Sequence, residues 1–228
     1  MGKLILVGTP IGNFEDITLR ALKTLKEADL ILTEDKRVTL KLINHFELGK
    51  KELFTFNETN SEKIMDTVLS LIESHNITAL VSDAGMPVLA DPGFNLVQKC
   101  WEKGIPIDVV PGPSALTSAL AVSGFPASKF LFLGFLPRDK KLRRLLREIK
   151  EFEYPIVFFE SPNRIKKTLQ EILENFGDID VLVAREMTKL YQEFFKGKIS
   201  EGIKFFGSKD QVKGELTVVI SPTRRIQV

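Results

Sequence analysis

Three stretches of this chain, Gly8–Asn13, Ser82–Asp91 and Pro111–Ser114, combine small and turn-forming residues in a way that can hold a ligand. Each follows an apolar run of strand length, and in an open parallel sheet ligands collect beyond the carboxyl ends of the strands. Gly85, Gly93 and Gly112 allow close backbone approach, while Pro87, Pro92, Pro111 and Pro113 stiffen the walls. The first loop is not a dinucleotide fingerprint: Pro10 stands where the middle glycine belongs and removes a backbone donor. No lysine or arginine lies in the three loops, which argues against a triphosphate and for a flat polar ligand with little or no phosphate, such as an adenine nucleoside. Asp83 and Asp91 suit hydroxyls or a cationic centre, although a turn-capping role for Asp83 fits the same spacing.

Further charged clusters follow other apolar runs: Glu34–Arg37, Glu160–Arg164 and Ala184–Lys189. Strand-end charges on two domains invite a cleft between them, with ordinary ion pairs at a domain junction as the plainer alternative. A different chemistry is suggested by Arg138–Lys150, where seven basic residues stand against Asp139 and Glu148, a local net of +5. Leu142, Leu145, Leu146 and Ile149 form the apolar stripe of that helix. Arg138, Lys140, Lys141, Arg143, Arg144 and Arg147 are left largely for solvent, where they can neutralise several phosphates of a polyanion or simply be hydrated. Phe125, Phe130, Phe132 and Phe135 can stack bases, or fill a core at strand spacing.

The elements that must position these residues alternate between strand and helix. Strands are expected at 4–7, 30–32, 53–56, 77–81 and 107–110, separated by helices, the first capped by Asp16. That pattern predicts an α/β fold with a largely parallel sheet covered on both faces, forming a first domain over 1–113. A second α/β domain, 114–228, begins with a small apolar helix over 115–122. It carries strands at 130–135, 156–159, 181–184 and 216–220, with helices at 140–150, 163–175 and 199–206.

The totals fit this picture. With 228 residues, 43% of them hydrophobic, the chain can build two cores, and no apolar run approaches the roughly 20 residues that span a bilayer. No signal peptide is expected, so the default address is cytoplasmic. The one cysteine, Cys100, reads as a core or interface thiol, and His45 and His75 lack neighbours at ligand spacing, so no metal is expected.

Six segments, taken in order, carry a family resemblance. They are Val7–Asn13, Asp16–Leu22, Ser82–Gly85, Asp91–Gly93, Pro111–Ser114 and Glu160–Pro162, with support from Gly134–Arg138 and Ala184–Glu186. Together they resemble the small-subunit (16S) ribosomal RNA ribose 2'-O-methyltransferases of the tetrapyrrole methylase superfamily, from Leu4 to about Ile220. The resemblance implies a two-domain fold, mostly parallel in the first sheet and mixed in the second, with S-adenosylmethionine bound in a cleft between the domains. It implies a homodimer acting on a cytidine in the decoding region of 16S ribosomal RNA. It also implies methyl-donor contacts from Pro10, Ile11, Ser82, Asp83, Ala84, Gly85, Met86, Leu89, Ser114 and Ala115, with Ala184 and Glu186 closing over the donor. Asp83 and Glu160 are expected to shape the cleft, and the basic helix to hold RNA.

The chain departs from the family pattern in three places. The usual Glu-Asp-Thr-Arg is Glu34–Arg37 with Lys36, and the usual His-Glu-His-Asn is Asn57–Asn60, so any histidine base of relatives has no counterpart here. The sequence also stops near the last strand, where many relatives carry an extension, which shifts the expected grip on RNA to the Arg138 segment or the dimer. A ribose hydroxyl is a weak nucleophile at neutral pH, so a base or an alkoxide-stabilising cation is needed, with Arg37, Glu58 and Lys189 as candidates. Two rivals remain: a methylase of corrin precursors, which would not need the basic helix, and an RNA-binding assembly factor that keeps the fold without catalysis.

Overall fold

The computed structural model describes residues 2–222; residue 1 of the first expected domain and residues 223–228 of the second lie outside the described residues. The chain splits into two compact units, Met1–Ser114 and Ala115–Val228.

Unit 1 contains β1 (Lys3–Val7), α1 (Leu19–Glu27), β2 (Leu30–Thr33), α2 (Lys36–His45), β3 (Glu52–Thr55), α3 (Met65–Ser74), β4 (Ile77–Val81), α4 (Phe94–Glu102) and β5 (Ile107–Val110). Its strands run parallel in the order β3-β2-β4-β1-β5. Alternating residues feed two cores, as a strand's period of two demands. Ile5, Val7, Ile31 and Ala79 meet Ala21, Leu25 and Leu42 of α1 and α2 on one face. Leu4, Leu30, Leu32 and Leu80 meet Val68, Leu69, Leu96 and Cys100 of α3 and α4 on the other. The thiol of Cys100 is fully buried there, which pushes its pKa up to about 11. The cap of α1 is Thr18, whose hydroxyl accepts from the Ala21 N–H at 3.1 Å, and not Asp16. Asp16 instead ends a single 3-10 turn, Phe14–Asp16, that Asn13 caps.

Unit 2 contains α5 (Ala115–Ser123), β6 (Leu131–Phe135), α6 (Asp139–Glu148), β7 (Ile156–Glu160), α7 (Ile165–Phe176), β8 (Asp180–Arg185), β9 (Glu193–Lys198), α8 (Ile199–Gly207) and β10 (Leu216–Ile220). Its sheet, ordered β6-β7-β10-β8-β9, is mixed: β6 and β7 are parallel and the remaining pairs antiparallel. α6, α7 and α8 cover one face through Leu142, Leu146, Leu169, Ile172 and Phe206, and α5 lies against β10. β9 was not expected from the sequence. No described helix is long and apolar enough to cross a membrane.

Candidate functional site

The three glycine- and proline-rich loops meet at the carboxyl edge of unit 1's sheet. The order β4-β1-β5 makes their parent strands neighbours, so the loops that leave them converge. Thr9 and Gly85 form a two-way backbone bridge, Thr9 N to Gly85 O at 2.9 Å and Gly85 N to Thr9 O at 3.1 Å. The Thr9 hydroxyl, buried at the same point, reaches the carbonyls of Ser82 (3.3 Å) and Gly85 (3.4 Å). On the other side Gly8 N donates to Val110 O at 3.0 Å, and a Cβ on Gly8 would stand 2.7 Å from the Gly112 backbone and from Met86 Sδ. Gly85 takes a left-handed φ of 85° and leaves the Ile11 side chain just enough room, its virtual Cβ lying 3.4 Å from Ile11 Cγ2. Pro10, Ile11, Ser82 and Gly85 are buried in this junction; Asp83, Ala84 and Leu89 are exposed at its rim, with Met86 and Ser114 between.

Val88 and Ala90, both non-glycine, adopt φ of 76° and 66°. A β-branched residue in that region costs on the order of 1–3 kcal/mol, and such strain concentrates at functional loops. The loop therefore holds Leu89 outward at an energetic cost.

Carboxylates dominate the same edge. Burial pushes Asp91 up to about 6, helped by Asp83 and opposed by a hydrogen bond from Ser82. Burial, then Asp83, Asp91 and Glu58, raise Glu34. Partial desolvation also raises Asp83, while its bond from the Asp35 N–H, at 3.2 Å, pulls the other way. A cavity of about 220 Å³ opens alongside, lined by Phe56, Glu58, Ser61, Asp91, Pro92 and Phe94. Of the three loops it takes only the end that carries Asp91. The sequence pattern offered Asp91 as a partner for hydroxyls or a cationic centre; its raised pKa comes from burial that no local spacing encodes.

The three catalytic candidates are not alike. Arg37 is bound fork-on to Asp35, with Nε 3.1 Å from both oxygens and Nη2 2.6 Å from Oδ2. Glu58 lines the cavity with Asp91. Lys189 belongs to unit 2, where Glu186 (2.8 Å) and Glu215 (2.7 Å) clamp its ammonium. Burial works against that charge, but the two carboxylates outweigh it and hold Lys189 above its ordinary value. Both Arg37 and Lys189 are raised and remain charged, so neither serves as a base at neutral pH.

Glu186 also accepts from the Glu215 N–H at 2.9 Å, and Gly214, with φ of 92°, leaves the space its carboxylate fills. Ala184 is buried in β8. Glu160 is buried and committed to its own unit: it accepts from Thr168 Oγ1 and from Ser161 N, both at 2.6 Å, and pairs with Arg164 at 3.4 Å. Arg164 then donates to the carbonyls of Leu136 (3.0 Å) and Pro137 (2.9 Å). The Glu160 side chain thus anchors the loop between β6 and α6.

The basic helix is less uniformly free than its sequence suggests. Arg143 makes a forked pair with the buried carboxylate of Glu171 on α7, Nη2 to Oε1 at 2.9 Å, and Arg144 pairs with Glu148 at 2.8 Å. Arg147 bonds the Arg143 carbonyl at 3.3 Å. Arg138, Lys140 and Lys141 are exposed and make no ion pair within 4 Å among the described residues.

Comparison with known proteins agrees with this architecture. A family model of tetrapyrrole (corrin/porphyrin) methylases matches residues 3–202. A protein of Thermotoga maritima named ribosomal RNA small subunit methyltransferase I is 61% identical over 97% of this chain and 99% of its own length. A Bacillus subtilis protein of the same name is 40% identical over 100% of this chain and 78% of its own length. Two solved structures share the fold at low identity. A diphthine synthase superposes with a TM-score of 0.74 at 14% identity, covering 96% of this chain and 89% of that one. Uroporphyrin-III C-methyl transferase from Thermus thermophilus, complexed with S-adenyl homocysteine, gives 0.67 at 21% identity, covering 97% and 98%. The chain belongs to the tetrapyrrole (corrin/porphyrin) methylase family, among its ribosomal RNA small subunit methyltransferase I members.

Proposed function

We propose that the protein transfers a methyl group from S-adenosylmethionine to small-subunit ribosomal RNA, on the ribose 2' oxygen of a cytidine in the 16S decoding region. One observation carries the donor assignment. The locked loops bear Asp83 and Asp91, lie beside Glu34 and contain no lysine or arginine, which suits a cationic ligand without phosphate. The acceptor is supported by the name that the relatives share and by the unpaired cations of α6.

Bound there, S-adenosylmethionine supplies a methyl group on a sulfonium centre. Pro10, Ile11, Ser82, Asp83, Ala84, Gly85, Met86, Leu89 and Ser114, all of unit 1, would hold it. Glu160 contributes by fixing the loop before α6 rather than by contact through its carboxylate. Asp91 is ionised at neutral pH yet basic enough, at about 6, to take the ribose hydroxyl proton, with Glu58 beside it at the cavity. Arg37, on the same unit, acts as a fixed cation for the developing alkoxide.

The protein acts as a cytoplasmic homodimer in this scheme. The outer face of α4 supports a second copy, since Phe94 (68% exposed) and Trp101 (69%) stand two turns apart beside the edge strand β5.

Mass mapping of small-subunit RNA after incubation with labelled S-adenosylmethionine tests the assignment, using naked RNA and assembled subunits. One labelled methyl on one cytidine ribose is expected. Binding of the donor with neither RNA form methylated would overturn it.

A further inference from the structure

One face of unit 2's sheet carries an aromatic cluster that the core does not absorb. Phe132 and Phe159 lie edge to face at 5.1 Å between centroids, and Phe135 tilts against Phe159 at 5.4 Å. Phe132 and Phe135 are three residues apart, so in a regular strand they would point to opposite faces. The β6–β7 register shifts between them, and Gly134 there adopts a left-handed φ of 58°. A glycine bulge of this kind re-aims the following side chain. Leu131 and Leu133 keep their places against the core, whereas Phe135 is brought out to 62% exposure.

The position is held firmly. Phe135 ends β6, and the next two carbonyls, of Leu136 and Pro137, accept the Arg164 guanidinium that buried Glu160 orients. Arg138, the N-cap residue of α6, follows at once, and Lys140 and Lys141 extend the unpaired positive charge. A presented ring backed by two others, next to cations with no carboxylate partner among the described residues, is the composition of a single-strand nucleic-acid platform: the ring stacks a base and the cations take phosphates. Positive charge of this kind is wasted on an apolar partner, so the charge pattern selects RNA.

We propose that Phe135, supported by Phe132 and Phe159, stacks an unpaired base of the RNA substrate while Arg138, Lys140 and Lys141 hold the flanking phosphates. The proposal rests on RNA being the acceptor and adds a docking platform distinct from methyl transfer.

The test uses the full chain with Phe135→Ala, Phe135→Leu and Phe135→Trp. The probes are a fluorescein-labelled single-stranded RNA of about 12 nucleotides and an abasic ribose-phosphate oligomer of equal length. Alanine is expected to weaken RNA binding on the order of tenfold. Leucine, which keeps apolar area but lacks a π face, should do the same, and tryptophan should restore affinity. The abasic oligomer should bind all forms alike, with donor affinity and sedimentation unchanged. Wild-type RNA affinity in the alanine or leucine variant would overturn the proposal, as would an altered particle mass in the alanine variant, which would assign the ring to a contact between copies. Wild-type protein that fails to methylate small-subunit RNA, while Phe135→Ala still loses affinity for the oligonucleotide, would remove the acceptor assignment and leave the platform standing.

Discussion

Gly8 and Gly112 meet backbone to backbone, so closely that a Cβ on Gly112 would lie 2.8 Å from the carbonyl of Gly8. The spacing of the loops after β1 and β5 is therefore set by the absence of two side chains. Gly112→Ala should force the loops apart, cost about 1–3 kcal/mol of stability and weaken donor binding together with it. Gly207→Ala at the end of α8, where the flexible Lys166 side chain is nearest, should be neutral or gain up to about 1 kcal/mol. Urea unfolding and calorimetry with S-adenosylmethionine distinguish the two.

Asp91 makes both stability and donor binding depend on pH. Its folded pKa of about 6 lies above the ordinary 3.8, so the fold favours the protonated form. The associated stability is fully present below pH 3.8 and is lost as the pH rises through about 6. Asp91→Asn escapes that loss. Its melting temperature should match wild type at the acidic end and exceed it at pH 7.5 by about 2–4 °C, after allowance for partial solvent screening. Affinity for a cationic donor should run the other way, falling as the pH drops through about 6 in wild type and staying flatter in the variant.

These two predictions depend on different kinds of information. The convergence of the loops was legible because each motif sits at a strand end, and local pattern places strand ends well. The raised pKa of Asp91 was not, because it arises from burial by residues distant in sequence. The same limit explains other gaps. β9 escaped because Glu193, Lys196 and Lys198 dilute its apolar residues, as suits an edge strand with one wet face. The partner of Arg143 lies 28 residues away on another helix, and the anchoring role of Glu160 needs the fold to bring Arg164 to the carbonyls of Leu136 and Pro137.

The basic helix should divide into structural and free cations. Arg143→Ala strands the buried Glu171 carboxylate and should cost about 1–3 kcal/mol. Lys140→Ala and Lys141→Ala should stay within about 0.5 kcal/mol of wild type. Each lysine removed should lower the slope of log affinity for single-stranded RNA against log salt by about 0.7, measured by fluorescence anisotropy.

Thr78 offers a route to a more stable protein. Its hydroxyl is buried between Leu4 and Leu30 of the neighbouring strands and has no hydrogen-bond partner among the described residues. Thr78→Val keeps the branched shape and removes the unpaired group, so it should raise the unfolding free energy by about 1 kcal/mol in urea titrations.

The strand order of unit 2 bears on how the protein is made. β10 is the last strand among the described residues, yet it lies at the centre of the sheet, with β7 on one side and the β8–β9 hairpin on the other. During synthesis, β6–β7 and β8–β9 emerge as two ribbons with no common partner, their inner edges unpaired until residues 216–220 leave the ribosome. The second unit closes around its final strand, and any nascent chain released before that point exposes two edges open to pairing with another chain.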